Sequence, residues 1–398
     1  MRAIRRLMRA VGSPTRSARG VQRLVWTGLA RALPSGRLPD GVWLLGGSSG
    51  RAYTDNGAAL HRYLTGQRTD IDAVWAIDGD SPDVPLVAAH GPTVDRRSLR
   101  AARLGHVADV IIYSHGIRDV PGISPHRRSL VVHLCHGPVL LKALVPRQEE
   151  TRRELDAAID LAPVSSELDR AARMRQGLAP DKLPVTGLAR WDELMRARRR
   201  RQLRGSVPRV LYAPTHRSWH TRADLGPQGA LAPVREFLNA PQVRRSVAEG
   251  RLELTVFAHQ LLQERIGRFP WVPEGLELVT SASDLNDQIA SADLVISDYS
   301  SIVWDALYLD IPVAFFHFDK DVYERRVPAN IDRRGPLFGP IVRHPSEAVD
   351  LVTEEKVGDG GSADWQQARR AWQRDVFAFR DDRNCERIAA AIEERLSQ

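Results

Sequence analysis

Between residues 41 and 316 the chain repeats one pattern: a short apolar run, a polar turn, then a stretch with apolar positions three and four apart. Apolar runs at 42–45, 73–77, 107–113 and 130–135 predict strands of a first half, with 84–88 as a further candidate and shorter ones at 161–164 and 183–185. Runs at 210–213, 252–258, 276–279, 294–297 and 313–316 predict the strands of a second half. Residues 58–64, 149–160, 168–174 and 234–238 read as helices, and 363–396 as two more. Runs that are apolar throughout suit strands covered on both faces, and their alternation with helices favours a parallel sheet. The expectation is an α/β chain with two doubly wound halves. Its divisions are a basic segment over 1–38, a domain over 41–205, a second over 206–362 and C-terminal helices over 363–398. A run from Met195 to Gly205 holding Arg196, Arg198, Arg199, Arg200, Arg201 and Arg204 closes the first half as a solvated helix and linker.

Composition narrows the classes. The 398 residues carry 57 basic and 49 acidic side chains, a net charge of +8, and the mix is that of a globular chain. Only Lys142, Lys182, Lys320 and Lys356 are lysines, so nearly all the positive charge sits on arginine. Arginine suits bidentate contact with phosphate, and a biased genome composition gives the same excess. Two cysteines, Cys135 and Cys385, exclude a disulfide scaffold and a cysteine-rich zinc site, and a reducing compartment is the simple reading. No window reaches the roughly 18 apolar residues of a membrane-spanning helix, and no leader-like apolar core with a cleavage site follows Met1. Residues 1–38 hold nine arginines and no acid, with Ile4, Leu7, Met8 and Val11 at helical spacing. Such a segment reads as an element for an anionic membrane surface or another polyanion, with a disordered basic tail or a helix packed on the body as the plain alternatives.

Chemistry-bearing residues cluster after strands, where open α/β sheets bind ligands. Ser300 and Ser301 follow the run 294–297 and stand where N-cap hydroxyls belong, with Asp305 one turn along the same helix face. Free N–H groups and the helix dipole make such a terminus suitable for a phosphate, and Asp305 suits ribose hydroxyls. His136 follows a strand just before a Gly-Pro turn, with Lys142 beyond it; Thr215 and Arg217 follow another strand, and His259 a third. Histidine is a base near neutral pH, and Thr and Arg bind phosphate.

These motifs and their order resemble the CDP-glycerol glycerophosphotransferase family, whose members build teichoic-acid-type polymers. Asp55-Asn56 before the first helix is similar to the family's opening unit, and His136-Gly137 with Lys142 to its His-Gly-x-x-x-Lys motif. The stretch Tyr212-Ala-Pro-Thr-His-Arg217 is similar to Tyr-Ala-Pro-Thr-x-Arg. The segment Ser297-Asp298-Tyr299-Ser300-Ser301 with Asp305 and Asp310-x-Pro312 resembles the family most closely. Asp319, Tyr323 and a nearby arginine follow its Asp-x-x-x-Tyr-x-x-x-Arg stretch, and residues 382–387 its C-terminal pattern. The sequence departs from the pattern at Pro138, Gln260, Val327 and Arg383.

The resemblance implies a GT-B-like pair of Rossmann-like domains facing a cleft, with the acceptor on the N-terminal side and a CDP-activated donor on the C-terminal side. It implies His136 as general base, with His259 also catalytic. His259, Thr215, Arg217, Ser300, Ser301 and Arg326 would serve the donor pyrophosphate, Asp305 the ribose, Asp298 the donor site more broadly, and Lys142 the acceptor side. The partners implied are CDP-glycerol or a related CDP-alcohol and a lipid-linked polymer acceptor at the cytoplasmic face of the membrane, with no cofactor and no nucleic acid. The phosphate set lacks a carboxylate cluster, which predicts that no tightly bound metal is needed. Three alternatives stand beside this reading. One is a GT-B glycosyltransferase using a nucleotide sugar. Another is a metal-dependent GT-A enzyme using Asp78-Gly-Asp80, although Asp70-Ile-Asp72 and Asp319-Lys-Asp321 match the same short pattern. The third is a non-enzymatic basic protein that binds polyanions.

Overall fold

A computed structural model describes residues 41–121, 129–142, 149–201, 207–217, 219–226, 228–257, 272–273, 275–280, 285–330, 337–353 and 363–398. The basic segment 1–38 and His259 lie outside the described residues.

The chain forms two compact units, one from the described residues of Met1–Tyr53 with His61–His133, the other from Thr54–Leu60 with Leu134–Gln398. The first is built on a parallel sheet of β1 (Val42–Gly46), β2 (Asp72–Ile77), β3 (Thr93–Asp95), β4 (Val110–Tyr113) and β5 (Leu130–His133), in the order β3-β2-β1-β4-β5. The second holds β6 (Arg209–Tyr212), β7 (Glu253–Phe257), β8 (Glu277–Val279), β9 (Leu294–Ser297), β10 (Val313–Phe316) and β11 (Ile341–Val342), again parallel, in the order β11-β10-β9-β6-β7-β8. In each sheet the chain winds outward from an inner strand, then returns past it and winds the other way. The reversal falls between β1 and β4, and between β6 and β9, and crevices open at such points beyond the carboxyl ends of the strands. Tyr212 pairs with Ile296, so the chain leaves β6 and β9 at the same height.

The apolar runs explain the sheets. Leu44, Leu45, Trp75 and Ala76 are fully buried, as are Val295, Ile296, Ala314, Phe315 and Phe316. Three expectations change. Residues 84–88 form a helix, Val84–Ala88, not a strand; Pro85 has no N–H for a ladder and fits the first turn of a helix. The segments at 161–164 and 183–185 meet only in a bridge between Val164 and Val185, since Pro163 and Pro184 each remove a ladder donor. Lastly, the expected domain over 41–205 divides: residues 134–201 group with the second unit. The reason is hydrophobic: Leu188, Trp191 and Leu194 share one core with Trp304, Tyr308 and Phe377, and Trp191 stacks on Tyr308 at 4.4 Å.

Candidate functional site

Cys135 and Asp55 both have left-handed backbones, φ +59° and +65°, a conformation that a β-carbon disfavours. Asn56 holds the first by donating from Nδ2 to the Cys135 carbonyl at 2.8 Å. Its Oδ1 accepts the Arg190 N–H at 3.0 Å. Asp55, at the start of the helix Asp55–Gln67, places Oδ2 2.5 Å from His136 Nδ1. Its Oδ1 accepts from Arg190 at 2.9 Å. The imidazole is half exposed while Asp55 is largely covered. With Nδ1 donating to Asp55, the other ring nitrogen, Nε2, is left as a proton acceptor.

The turn that carries His136 is tied at nearly every residue. Arg190 donates to the His136 carbonyl and Arg173 to the Gly137 carbonyl at 2.9 Å. Asp169 accepts the Val139 N–H at 3.1 Å, and the Asn330 backbone donates to the Leu140 carbonyl at 2.9 Å. A β-carbon on Gly137 would lie 3.3 Å from Ser301 Cβ and 3.2 Å from the Arg190 guanidinium. The absent side chain therefore lets the turn sit against the start of the helix Ile302–Tyr308. Lys142 is half-buried at the end of this stretch.

A second centre lies where β6 and β9 diverge. Asp298 Oδ1 accepts from Thr215 N at 2.8 Å, Thr215 Oγ1 at 2.5 Å and Tyr299 N at 2.7 Å. Arg217 bridges Asp298 and Asp319: Nε and one terminal nitrogen fork onto Asp319 at 2.9 and 2.6 Å, and the other reaches Asp298 at 2.5 Å. Tyr323 stacks flat on Tyr299 at 3.9 Å, and the guanidinium lies 5.0 Å from the Tyr323 ring and 4.8 Å from Phe318. Burial opposes the charge on Arg217, but Asp298 and Asp319 outweigh it and hold the group more firmly protonated than usual. Burial likewise raises Asp298, and Arg217 with Thr215 more than reverses this, leaving its carboxyl below the ordinary range.

The expected donor residues thus separate. Thr215, Arg217 and Asp298 are buried and bonded to one another. They form an internal lock, in which the two carboxylates offset the cost of burying the guanidinium charge. Asp305 is also buried, its carboxylate taken by the Arg190 fork at 2.8–3.1 Å and by Trp191 Nε1 at 2.7 Å. Ser301 is the N-cap of Ile302–Tyr308, yet its side chain makes no capping bond. The Ser300 and Ser301 hydroxyls, half-buried, have no partner among the described residues. Arg326 is exposed and lies 5.0 Å over the Trp219 ring. His136, Ser301, Asp305 and Gly137 come together in one unit.

Arg190, Trp191, Asp319 and Arg173 were not singled out as site residues by sequence. Only Asp319 had a local signal, its place ahead of Tyr323. Asp78 has a different fate from a metal ligand: Arg96 and Arg97 grip it at 2.8 and 2.5 Å, and Arg97 also binds Asp80 at 3.1 Å. A carboxylate neutralised by two guanidiniums is a poor cation ligand, which weighs against the GT-A alternative.

A family model described as CDP-Glycerol:Poly(glycerophosphate) glycerophosphotransferase matches residues 38–394, and the chain belongs to that family. It is 22% identical over 370 residues to a teichoic acid glycerol-phosphate transferase of Staphylococcus aureus, covering 86% of this chain and 90% of that protein. It is 21% identical over 379 residues to the minor teichoic acid biosynthesis protein GgaB of Bacillus subtilis, covering 88% of this chain but only 39% of that longer protein. A structure of the wall teichoic acid polymerase TagF superposes with a TM-score of 0.69 at 15% identity, over 95% of this chain and 94% of that one. The fold is accordingly α/β and GT-B-like, with a doubly wound sheet in each unit.

Proposed function

We propose that the chain transfers a glycerol-phosphate or related polyol-phosphate unit from a CDP-activated alcohol to an acceptor hydroxyl, with release of CMP. The observation that carries the reading is the His136–Asp55 pair, 2.5 Å apart, on the His-Gly motif of a chain in this family. In the step we propose, the acceptor oxygen attacks the β-phosphorus of the donor and its proton passes to His136 Nε2. The bond from the β-phosphorus to the bridging oxygen breaks, and CMP leaves with that electron pair. Asp55 stabilises the imidazolium that forms, as a buried carboxylate does for other oriented histidines. Phosphoryl transfer asks mainly for positioning and charge neutralisation. The free hydroxyls of Ser300 and Ser301, the exposed Arg326 and, outside the described residues, His259 are the groups we assign to the donor phosphates. Lys142 is assigned to the acceptor side.

The acceptor in this reading is a lipid-linked or polymeric polyol phosphate, met at the inner membrane face, and residues 1–38 hold the enzyme there. The donor site takes CDP in preference to UDP or ADP. Incubating purified protein with CDP-glycerol, CDP-ribitol and UDP-sugars, each with a lipid-linked acceptor, tests the proposal. CMP release from a CDP-alcohol is the expected result; turnover of a UDP-sugar alone would replace the reading with sugar transfer.

A further inference from the structure

We propose that Arg190 is a positioning residue for the general base, fixing both the ring and the backbone of His136; the inference rests on the transfer reading above. Arg190 opens the helix Arg190–Arg200 and its side chain is almost wholly buried. One terminal nitrogen bridges Asp55 Oδ1 and the His136 carbonyl. The rest of the guanidinium forks onto Asp305, which Trp191 holds from behind. Arg190 thus occupies the Asp55 oxygen that His136 does not use and turns the other toward Nδ1. Its own N–H is held by Asn56, the residue that also fixes Cys135.

Two consequences follow from charge and geometry. Asp55 and Asp305 share a single guanidinium, and Asp55 keeps its other oxygen on the imidazole. That carboxylate favours the imidazolium formed when the acceptor hydroxyl gives up its proton. The fork geometry also ties the His136 turn to the helix Ile302–Tyr308, whose first residues follow Ser300 and Ser301. Lysine keeps the charge but cannot span Asp55, Asp305 and a carbonyl at once.

The test compares wild type, Arg190→Lys, Arg190→Ala and His136→Ala by CMP release from CDP-glycerol, with pH profiles of kcat. Arg190→Ala should lower kcat by about 10²-fold, the lower end of what a general base is worth, with KM for CDP-glycerol little changed. Methylguanidinium should restore part of the rate to Arg190→Ala and none to His136→Ala. Arg190→Lys should stay folded by circular dichroism while keeping a depressed kcat and a displaced pH profile. Wild-type kcat and pH profile in folded Arg190→Lys would overturn the proposal. Nitrogen-15 spectra of the His136 ring decide it independently of turnover. Protonation at Nδ1 should dominate in wild type and give way to a tautomer mixture in Arg190→Lys, and unchanged spectra would overturn the assignment. If wild type releases no CMP from any CDP-alcohol, the transfer reading falls, while the ring spectra still settle whether Arg190 orients His136.

Discussion

At the scale of single residues, Gly187, His136 and Arg190 illustrate how much a sequence shows. Gly187 has φ +84°, and a β-carbon there would lie 1.8 Å from Asn384 Oδ1. Gly187→Ala must therefore displace Asn384, which binds Asp192 through its backbone at 2.8 Å and its side chain at 2.7 Å. The expected result is a loss of about 1–3 kcal/mol, the range for an unsatisfied buried polar group, read as a lower urea midpoint. Nothing local in the sequence announces this, because the partner lies almost two hundred residues away. His136 is the opposite case, since its motif is legible and only its partner is not. His136→Ala should cut CMP release by about 10²–10⁴-fold with little change in the thermal midpoint, because the ring is half exposed. An active but merely less stable variant would show a structural histidine. Arg190 escaped the sequence reading because it is one of 53 arginines. Its partners, Asp55 and Asp305, stand 135 and 115 positions away, and only the fold brings them together.

At the scale of elements, the apolar runs made β1, β2, β4, β6, β7, β9 and β10 legible, since fully buried parallel strands need no alternation. Periodicity could not separate a five-residue strand from a one-turn helix at Val84–Ala88. β3 and β11, of three and two residues, are too short to leave a pattern. Motifs were legible as polar stretches after strands, but the contacts among them were not. The segments 212–217, 297–301 and 319–326 lie far apart in sequence, and the structure joins much of them into one buried lock around Arg217. The lock has a testable pH signature. The folded-state pKa of Asp298 lies below its ordinary value, so its stabilising contribution is complete above the unfolded value, roughly pH 4, and disappears as the pH falls through the lower folded value. Asp298→Asn should lose about 3–5 kcal/mol at neutral pH, as buried pairs do when one partner is removed. Its urea midpoint should converge on that of wild type as the pH drops below 4. A constant gap down to pH 2 would show that Asp298 contributes no charge. Cys135, pushed up to about 11 by burial, and Cys385, raised well above its ordinary value by burial with Asp192 nearby, should resist iodoacetamide at pH 8 until the chain unfolds.

At the scale of the whole molecule, the net charge of +8 is not spread evenly. Residues 1–38 contribute nine arginines and no acid, so without them the remaining chain is close to neutral. Within the described residues arginines are repeatedly tied to carboxylates: Arg96 and Arg97 to Asp78, Arg190 to Asp55 and Asp305, Arg217 to Asp298 and Asp319, Arg199 to Asp382. Composition alone could not distinguish such internally paired arginines from a polyanion-binding surface. Residues 1–38 include no acid, and the apolar positions 4, 7, 8 and 11 recur at helical spacing. Among the described residues no helix is long and apolar enough to cross a membrane. In the proposed function, residues 1–38 are the surface anchor. Each cation near anionic lipid is worth about 1 kcal/mol before screening, and the apolar face adds burial at the headgroup boundary. The full chain should therefore co-sediment with vesicles containing phosphatidylglycerol and release from them as salt rises. A chain beginning at residue 39 should bind more weakly while turning over a water-soluble acceptor at the full-length rate. Replacing Ile4, Leu7, Met8 and Val11 by serine separates the two contributions: charge alone predicts binding that vanishes at high salt, whereas the intact segment should retain a salt-resistant fraction. Equal sedimentation of the full and shortened chains would end the anchor assignment and leave the transfer chemistry at His136 untouched.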